Sequence, residues 1–166
     1  MRLPKSADHD ARMSLSGPVL FAYDSSPHAR AAIEQSGDLL RPGPAVVVTA
    51  WPTLAAAAAA ALIALPRAIV SEAVTEIDAA TRDDAEAIAL EGVKLAAAAG
   101  FEARPQVIRS SGAVFAAILA CAEELDAAAI VLGSRGRSTL AATLLGSVST
   151  GVLHHSARPV VIARTA

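Results

Sequence analysis

This chain of 166 residues has little cysteine, few aromatic residues and little net charge. Each of these scarcities excludes a kind of cross-link, packing or binding partner. The single cysteine, Cys121, leaves no intrachain disulfide and fits a reducing compartment. Aromatic residues make up only 3% of the chain while 54% is hydrophobic, much of it alanine, which suggests helices packed closely on a sheet. The net charge of −2 gives no general attraction to nucleic acid or anionic membranes, so any anion must be bound locally.

Long apolar segments are also lacking. The longest, Leu54–Leu65, falls short of the ~18 residues that a membrane-spanning helix needs. Residues Met1–Ser16 mix charged and polar side chains without an apolar centre, which indicates a flexible N-terminal tail rather than a signal peptide. We therefore expect a single domain over residues 17–166, located in the cytoplasm, with neither nucleic acid nor membrane as a partner.

Short apolar runs alternate with helical patterns along residues 17–166, as in proteins with a parallel sheet. The predicted strands are Pro18–Tyr23, Ala45–Ala50, Glu102–Arg109, Ala127–Leu132 and Pro159–Ala163. Helices are predicted from Ser26-Pro27, from Pro66 to about Ala99, around Val114–Leu125 and over Ser147–Ser156. The alternation predicts a three-layer α/β/α sandwich with a five-stranded parallel sheet in the order 3-2-1-4-5. Pro105 predicts an edge position for the third strand, because proline cannot donate to a ladder.

A glycine-rich stretch after the fourth strand is the most informative part of the sequence. It reads GSRGRSTLAATLLGS, from Gly133 to Ser147. Glycine lets backbone approach a ligand closely, and the N–H groups at the start of a helix attract anions. From Gly133 onwards the chain has four arginines (Arg135, Arg137, Arg158 and Arg164) and no acidic residue. These features predict a phosphate site here.

The usual phosphate motifs are absent. No glycine pair is followed by the lysine of G-x-x-x-x-G-K-[ST], and no G-x-G-x-x-G follows the first strand. The only lysines are Lys5 and Lys94, and neither is placed to assist phosphoryl transfer. The spacing that remains is G-x-x-G, nine residues, then G-[ST], which is far more specific than a glycine pair alone.

The sequence resembles the universal stress protein family over about residues 17 to 164. The resemblance is carried by the glycine motif at Gly133, Gly136 and Gly146-Ser147, by the turn Asp24-Ser25-Ser26, and by Ala157-Arg158-Pro159-Val160-Val161. It implies a Rossmann-like fold of the adenine nucleotide alpha hydrolase type. Members with this glycine motif typically bind ATP, so the resemblance implies the ATP-binding subgroup, with ATP, with or without Mg²⁺, as the ligand.

The resemblance also implies the residues of the site. The glycine motif and Ser147 would hold ribose and phosphates, Asp24 would lie near the ribose or a Mg²⁺-linked phosphate, and Ala50 would line the adenine. Ser149 is an additional candidate for a phosphate contact. The predicted binding residues are Asp24, Ser25, Ala50, Leu132, Gly133, Arg135, Gly136, Arg137, Gly146, Ser147, Val148 and Ser149.

Simpler interpretations of these residues stay open at this point. Gly133 and Gly136 could form a tight turn and nothing more, Asp24 and Ser147 could serve solely as helix caps, and Trp51 could either pack or stack on a base.

Three functions are considered: a nucleotide-binding regulatory protein of the stress response, a slow ATPase or autophosphorylating enzyme, and a sensor of another adenine nucleotide such as cyclic AMP. The missing lysine and general base favour binding over fast chemistry.

The last predicted strand, Pro159–Ala163, would lie at an edge of the sheet. It is too apolar to be left exposed, because an unpaired apolar edge invites association. Pairing of this strand with its own copy across a two-fold axis predicts a homodimer, and the family resemblance implies the same assembly.

Overall fold

The computed structural model describes residues 17–52, 67–136 and 145–164. Its strands are β1 (Val19–Ala22), β2 (Pro44–Pro52), β3 (Glu102–Ser110), β4 (Ala129–Gly133) and β5 (Val160–Ala163). The helices are α1 (Pro27–Leu39), α2 (Arg67–Ala98), α3 (Val114–Glu124) and α4 (Ser147–His155). All four strand pairings are parallel and give the order β3-β2-β1-β4-β5. The predicted fold class and strand order are therefore confirmed.

Two predicted segments fall in stretches of the sequence that the structure does not describe. The N-terminal tail at Met1–Ser16 and the alanine-rich run at Leu54–Leu65 lie outside the described residues. Among the helices that are described, none combines the length and the apolar character needed to cross a bilayer.

The hydrophobic core lies on both faces of the sheet. β4 is buried along its whole length, as its unbroken apolar sequence predicts for a strand covered on both sides. Successive side chains of a strand point to opposite faces. On one face, Phe21 and Val47 belong to a hydrophobic cluster with residues of α1 and α2. On the other face, Leu20 and Val48 belong to a second cluster with residues of α3 and α4. The sheet thus separates two cores that differ in the helices covering them.

Local sequence signals set both ends of α1. Ser26 is the N-cap, its hydroxyl accepts the N–H of Ala29 at 3.2 Å, and Pro27 occupies the first turn. This is the start predicted from the sequence, because a proline at that position loses no hydrogen bond. The helix ends at Leu39, just before the Pro42-Gly43-Pro44 stretch, which cannot continue it.

The thiol of Cys121 lies in the core, as its helical position predicts. Cys121 is buried on α3 and accepts a hydrogen bond from Nε2 of Gln106 at 3.4 Å. Burial raises the pKa of the thiol, with a smaller contribution from the nearby carboxylate of Glu124. A buried thiol held in its neutral form is a packing group rather than a nucleophile.

A polar cluster behind β1 joins α1 and α2. Tyr23 is 2% exposed and donates its hydroxyl to Oε1 of Glu91 on α2, at 2.9 Å. Arg30 on α1 pairs with the same carboxylate. Burial, followed by the adjacent Glu91 carboxylate, raises the pKa of Tyr23 to about 12. The phenol therefore resists ionisation in the folded protein.

Tyr23 is the only tyrosine of the chain, so its titration can be followed by absorbance near 295 nm. We expect an apparent pKa of about 12 in the folded protein and a value near 10 in urea. Because the folded-state pKa is the higher one, this group stabilises the fold fully below pH 10 and loses that contribution as the pH rises towards 12. The loss is about 2–3 kcal/mol. A Tyr23→Phe variant should lack this pH-dependent part of the free energy of unfolding. A tyrosine pKa near 10 in the folded protein would show that Tyr23 is not buried against Glu91 as described.

The two edges of the sheet are chemically different. β3 forms one edge and carries Pro105, paired in register with Val47 of β2, which confirms the predicted edge position. β5 forms the other edge, also as predicted, and its residues Val160, Val161 and Ile162 are only half-buried.

Candidate functional site

The carboxyl ends of β1 and β4 lie side by side. The two strands pair directly, with Ala22 in register with Leu132. The segments that follow them, Asp24–Ser26 and Gly133–Gly136, therefore lie next to each other. Such a point, where strand order reverses, is the usual ligand position of an open α/β sheet. We call Gly133–Gly136 the glycine loop.

A cavity of about 300 Å³ opens at this point, between the sheet and the first turns of α3 and α4. Most residues predicted from the sequence line it. These are Asp24, Ala50, Leu132, Gly133, Arg135, Gly136, Gly146, Ser147, Val148 and Ser149.

Two predicted residues are not among those that line the cavity in the described part of the chain. Ser25 is outside the lining, and its φ of +63° instead turns the chain between β1 and α1. Arg137 lies outside the described residues.

Sequence reasoning did not assign several apolar lining residues. They are Ala22, Tyr23, Ala29, Val48, Val114 and Ile118. A signal for three of them was available. Val48 lies two residues before Ala50 and so shares its side of the strand. Val114 and Ile118 lie on the predicted apolar face of the third helix, but which end of that face would border a cavity depends on how the helix crosses the sheet.

The N-terminus of α4 faces the cavity without a side-chain cap. Its N-cap is Gly146, with φ −64° and ψ 161°, and no side chain accepts a hydrogen bond there. Ser147 is the first helical residue, so the interpretation of Ser147 as an N-cap is wrong for this fold. Early N–H groups of a helix and its dipole favour an anion.

Asp24 lies beside Gly136 in the cavity lining. Its Oδ1 accepts the N–H of Ser26 at 3.0 Å, which fixes the carboxylate at the start of α1. A side chain on Gly136 would meet Oδ2 of Asp24 at 2.7 Å. The N-cap itself is Ser26, so the carboxylate of Asp24 stabilises the turn before the helix by this hydrogen bond and does not cap the helix. It presents the one carboxylate in the cavity lining formed by the described residues.

The glycines of the motif meet different surroundings. A Cβ at Gly133 would lie only 2.5–2.7 Å from backbone atoms of His28 and Ala29, so this glycine lets α1 pack directly on the end of β4. At Gly146 the nearest atom to an added Cβ is Cα of Arg135 at 3.4 Å, an ordinary contact. The fold therefore requires a glycine at Gly133 but not at Gly146.

Ser149 uses its hydroxyl within the protein. It is 2% exposed and donates to the carbonyl of Gly133 at 2.8 Å. A hydroxyl has one proton to donate. A direct contact from Ser149 to a phosphate, as the resemblance implied, would require this hydrogen bond to break.

Trp51 lies outside the cavity lining. The guanidinium of Arg109 lies over its ring, with Cζ 5.8 Å from the ring centroid. The packing interpretation of Trp51 therefore fits the structure better than stacking on a base.

The fold defines a Rossmann-like α/β protein. Its cavity lies at the carboxyl edge of the sheet, where glycine backbone and the uncapped start of α4 are groups that suit an anion. The model of the Universal stress protein family matches residues 16–164. The chain belongs to the universal stress protein family, as the resemblance predicted.

Solved structures are similar over nearly the whole chain. The hypothetical protein MJ0577 is 19% identical, with a TM-score of 0.72 over 92% of this chain and 98% of its own. A universal stress protein solved in complex with cAMP is 27% identical, with a TM-score of 0.54 over 90% of this chain and 98% of its own. The universal stress protein from Archaeoglobus fulgidus, in complex with dAMP, is 18% identical, with a TM-score of 0.58 over 90% and 98%. A search of curated proteins gives no match.

Proposed function

We propose that this chain is an ATP-binding regulatory protein of the stress response, whose single domain over residues 17–166 changes its assembly or partners with nucleotide occupancy. The observation that carries the proposal is the cavity, where the glycine loop, the uncapped start of α4 and Asp24 converge. ATP is abundant in the cytoplasm, where we place the protein, and the single buried thiol suits that reducing compartment.

The residues present fit a nucleotide. Backbone N–H groups of the glycine loop and of α4 are suited to phosphates, and the carboxylate of Asp24 is an acceptor for ribose hydroxyls. The apolar side, with Ala50 and Val48, is suited to a base. No cluster of three metal-ligating side chains occurs within the described ranges. If Asp24 faces the phosphates rather than the ribose, a Mg²⁺ ion would be held by its carboxylate together with the nucleotide phosphates, a common arrangement for this ion.

Direct titration tests the proposal. We expect purified protein, freed of bound nucleotide, to bind ATP with measurable heat by calorimetry, and we expect mass spectrometry of the untreated protein to detect co-purified adenine nucleotide. A protein that neither carries nucleotide nor binds ATP at millimolar concentration would contradict the proposal.

A second candidate ligand is cyclic AMP, because the relative that is 27% identical was solved in complex with it. Competition of ATP against cyclic AMP in one titration decides between them. A slow ATPase or autophosphorylating activity is the enzymatic alternative, with Asp24 as the carboxylate nearest the phosphates. Single-turnover release of labelled phosphate tests it, and equal rates for wild type and Asp24→Asn would exclude it.

We further propose that the protein forms a homodimer through β5 and the preceding proline, Pro159–Ala163. The half-buried apolar residues of this edge strand support the proposal, because an unpaired edge of this kind is a site of association. Light scattering at micromolar concentration should give about twice the chain mass of 16.8 kDa. A mass equal to one chain would refute it.

A further inference from the structure

The peptide unit between Gly133 and Ser134 is held at both ends. Its carbonyl accepts the hydroxyl of Ser149 at 2.8 Å, and its N–H donates to the carbonyl of Ala163 at 2.8 Å. Ser149 is buried, so water does not compete for this hydrogen bond. The first peptide of the glycine loop therefore has one fixed orientation.

The next two carbonyls of the glycine loop are also held by donors. The N–H of Gly146 donates to the carbonyl of Ser134 at 2.8 Å. The hydroxyl of Ser26, which is 2% exposed, donates to the carbonyl of Arg135 at 3.4 Å. Three consecutive carbonyls are thus engaged from within the protein, two of them by buried serines.

The orientation of a carbonyl fixes the N–H of the same peptide. A trans peptide is planar, so its C=O and N–H point in opposite directions. The carbonyl of Arg135 points towards Ser26, which lies outside the cavity lining formed by the described residues, whereas Gly136 is part of that lining. The N–H of Gly136 consequently points away from Ser26. Glycine has no steric barrier to a reversed peptide, so the chain itself does not enforce this direction.

We propose that Ser26 and Ser149 are positioning residues for phosphate binding. Their hydroxyls keep the carbonyl oxygens of Arg135 and Gly133 turned from the anion, and Ser26 thereby keeps the N–H of Gly136 turned towards it. The N–H of Ser134 takes no part, because it donates to the carbonyl of Ala163. The inference rests on the proposed function only for the identity of the anion. Neither serine contacts the phosphate, and each acts through the backbone of the glycine loop.

The test compares ATP with adenosine, which lacks phosphate, on Ser26→Gly and Ser149→Ala. Glycine at an N-cap costs a helix little, so Ser26→Gly removes the hydroxyl with small loss of stability. Each variant should lower the affinity for ATP about tenfold and leave that for adenosine unchanged. Ser149→Thr, which keeps a hydroxyl, should restore ATP binding. Ser36→Ala is the matched control, because Ser36 is equally buried on α1 and donates only to Ala32 of its own helix, at 2.7 Å.

A second measurement needs no nucleotide. Amide hydrogen exchange of the nucleotide-free protein should be at least about tenfold faster at Ser134 in Ser149→Ala than in wild type or Ser36→Ala, because the peptide loses one of the two hydrogen bonds that hold it and keeps only the one to Ala163. Unchanged ATP affinity in both variants, or equal losses for ATP and adenosine, would overturn the proposal. If wild type binds neither ligand, the proposed function fails, while the exchange rates still decide whether the serines hold the loop.

Discussion

Replacing Gly146 by serine is expected to preserve or slightly increase the stability of the fold while lowering the affinity for ATP at least about 100-fold. The fold has room for the side chain, because an added Cβ makes only ordinary contacts. Serine is a better N-cap than glycine by about a few tenths of a kcal/mol, and its hydroxyl would accept the first N–H groups of α4. Those are the donors that a phosphate needs, so the new side chain competes with the ligand.

Gly43→Ser is the control for this variant. An added Cβ at Gly43 has no atom within 4 Å, and this glycine directly precedes β2, at the amino end of the strand and so away from the cavity. The Gly43→Ser variant should leave both the free energy of unfolding and the ATP affinity unchanged. Urea denaturation and calorimetry give the two quantities for each protein. Wild-type ATP affinity in Gly146→Ser would show that α4 does not hold the phosphates.

Gly133→Ala is expected to have the opposite effect, with a loss of about 2–3 kcal/mol in the free energy of unfolding. The added methyl would lie 2.5–2.7 Å from main-chain atoms of His28 and Ala29, which cannot rotate away as a side chain can. α1 must therefore move off β4. For a domain of this size the melting temperature should fall by roughly 5–12 °C.

Gly136→Ala is the comparison for Gly133→Ala. The nearest atom to its added Cβ is a carboxylate oxygen of Asp24, at 2.7 Å, the end of a side chain that can shift. Its loss of stability should stay below about 1 kcal/mol. Thermal unfolding followed by circular dichroism measures both variants. Equal losses would show that contact with α1 is not what requires glycine at Gly133.

These expectations show what the sequence could and could not predict about the motif. The spacing of the glycines and the buried strand before them predicted their position at the carboxyl edge of the sheet, because carboxyl ends of parallel strands share one edge. The spacing of the glycine motif predicted the same ligand-binding role for Gly133 and for Gly146. The difference between them depends on how closely α1 approaches β4, which is a tertiary distance that no local pattern encodes.

The same limit explains why the long-range hydrogen bonds of Ser26 and Ser149 could not be predicted from the sequence. The capping role of Ser26 follows from the proline after it and was predicted, since capping is a local interaction. Its second hydrogen bond, to Arg135, joins residues that are 109 positions apart. Likewise, the resemblance implied a phosphate contact for Ser149, whereas the fold engages its hydroxyl with the carbonyl of Gly133, 16 positions away. Strand order, by contrast, was predictable because right-handed crossovers leave few arrangements.

The difference between the two edges of the sheet limits the size of any assembly built by strand pairing. At the β3 edge, Pro105 has no N–H to offer an incoming strand, whereas β5 carries no proline within Val160–Ala163. If β5 pairs with a second β5, both of the available edges are used, and the outer edges of the pair are two copies of β3. In such a pair, growth by edge pairing would stop at two subunits, which would protect a protein with so apolar a sheet from open-ended fibre formation.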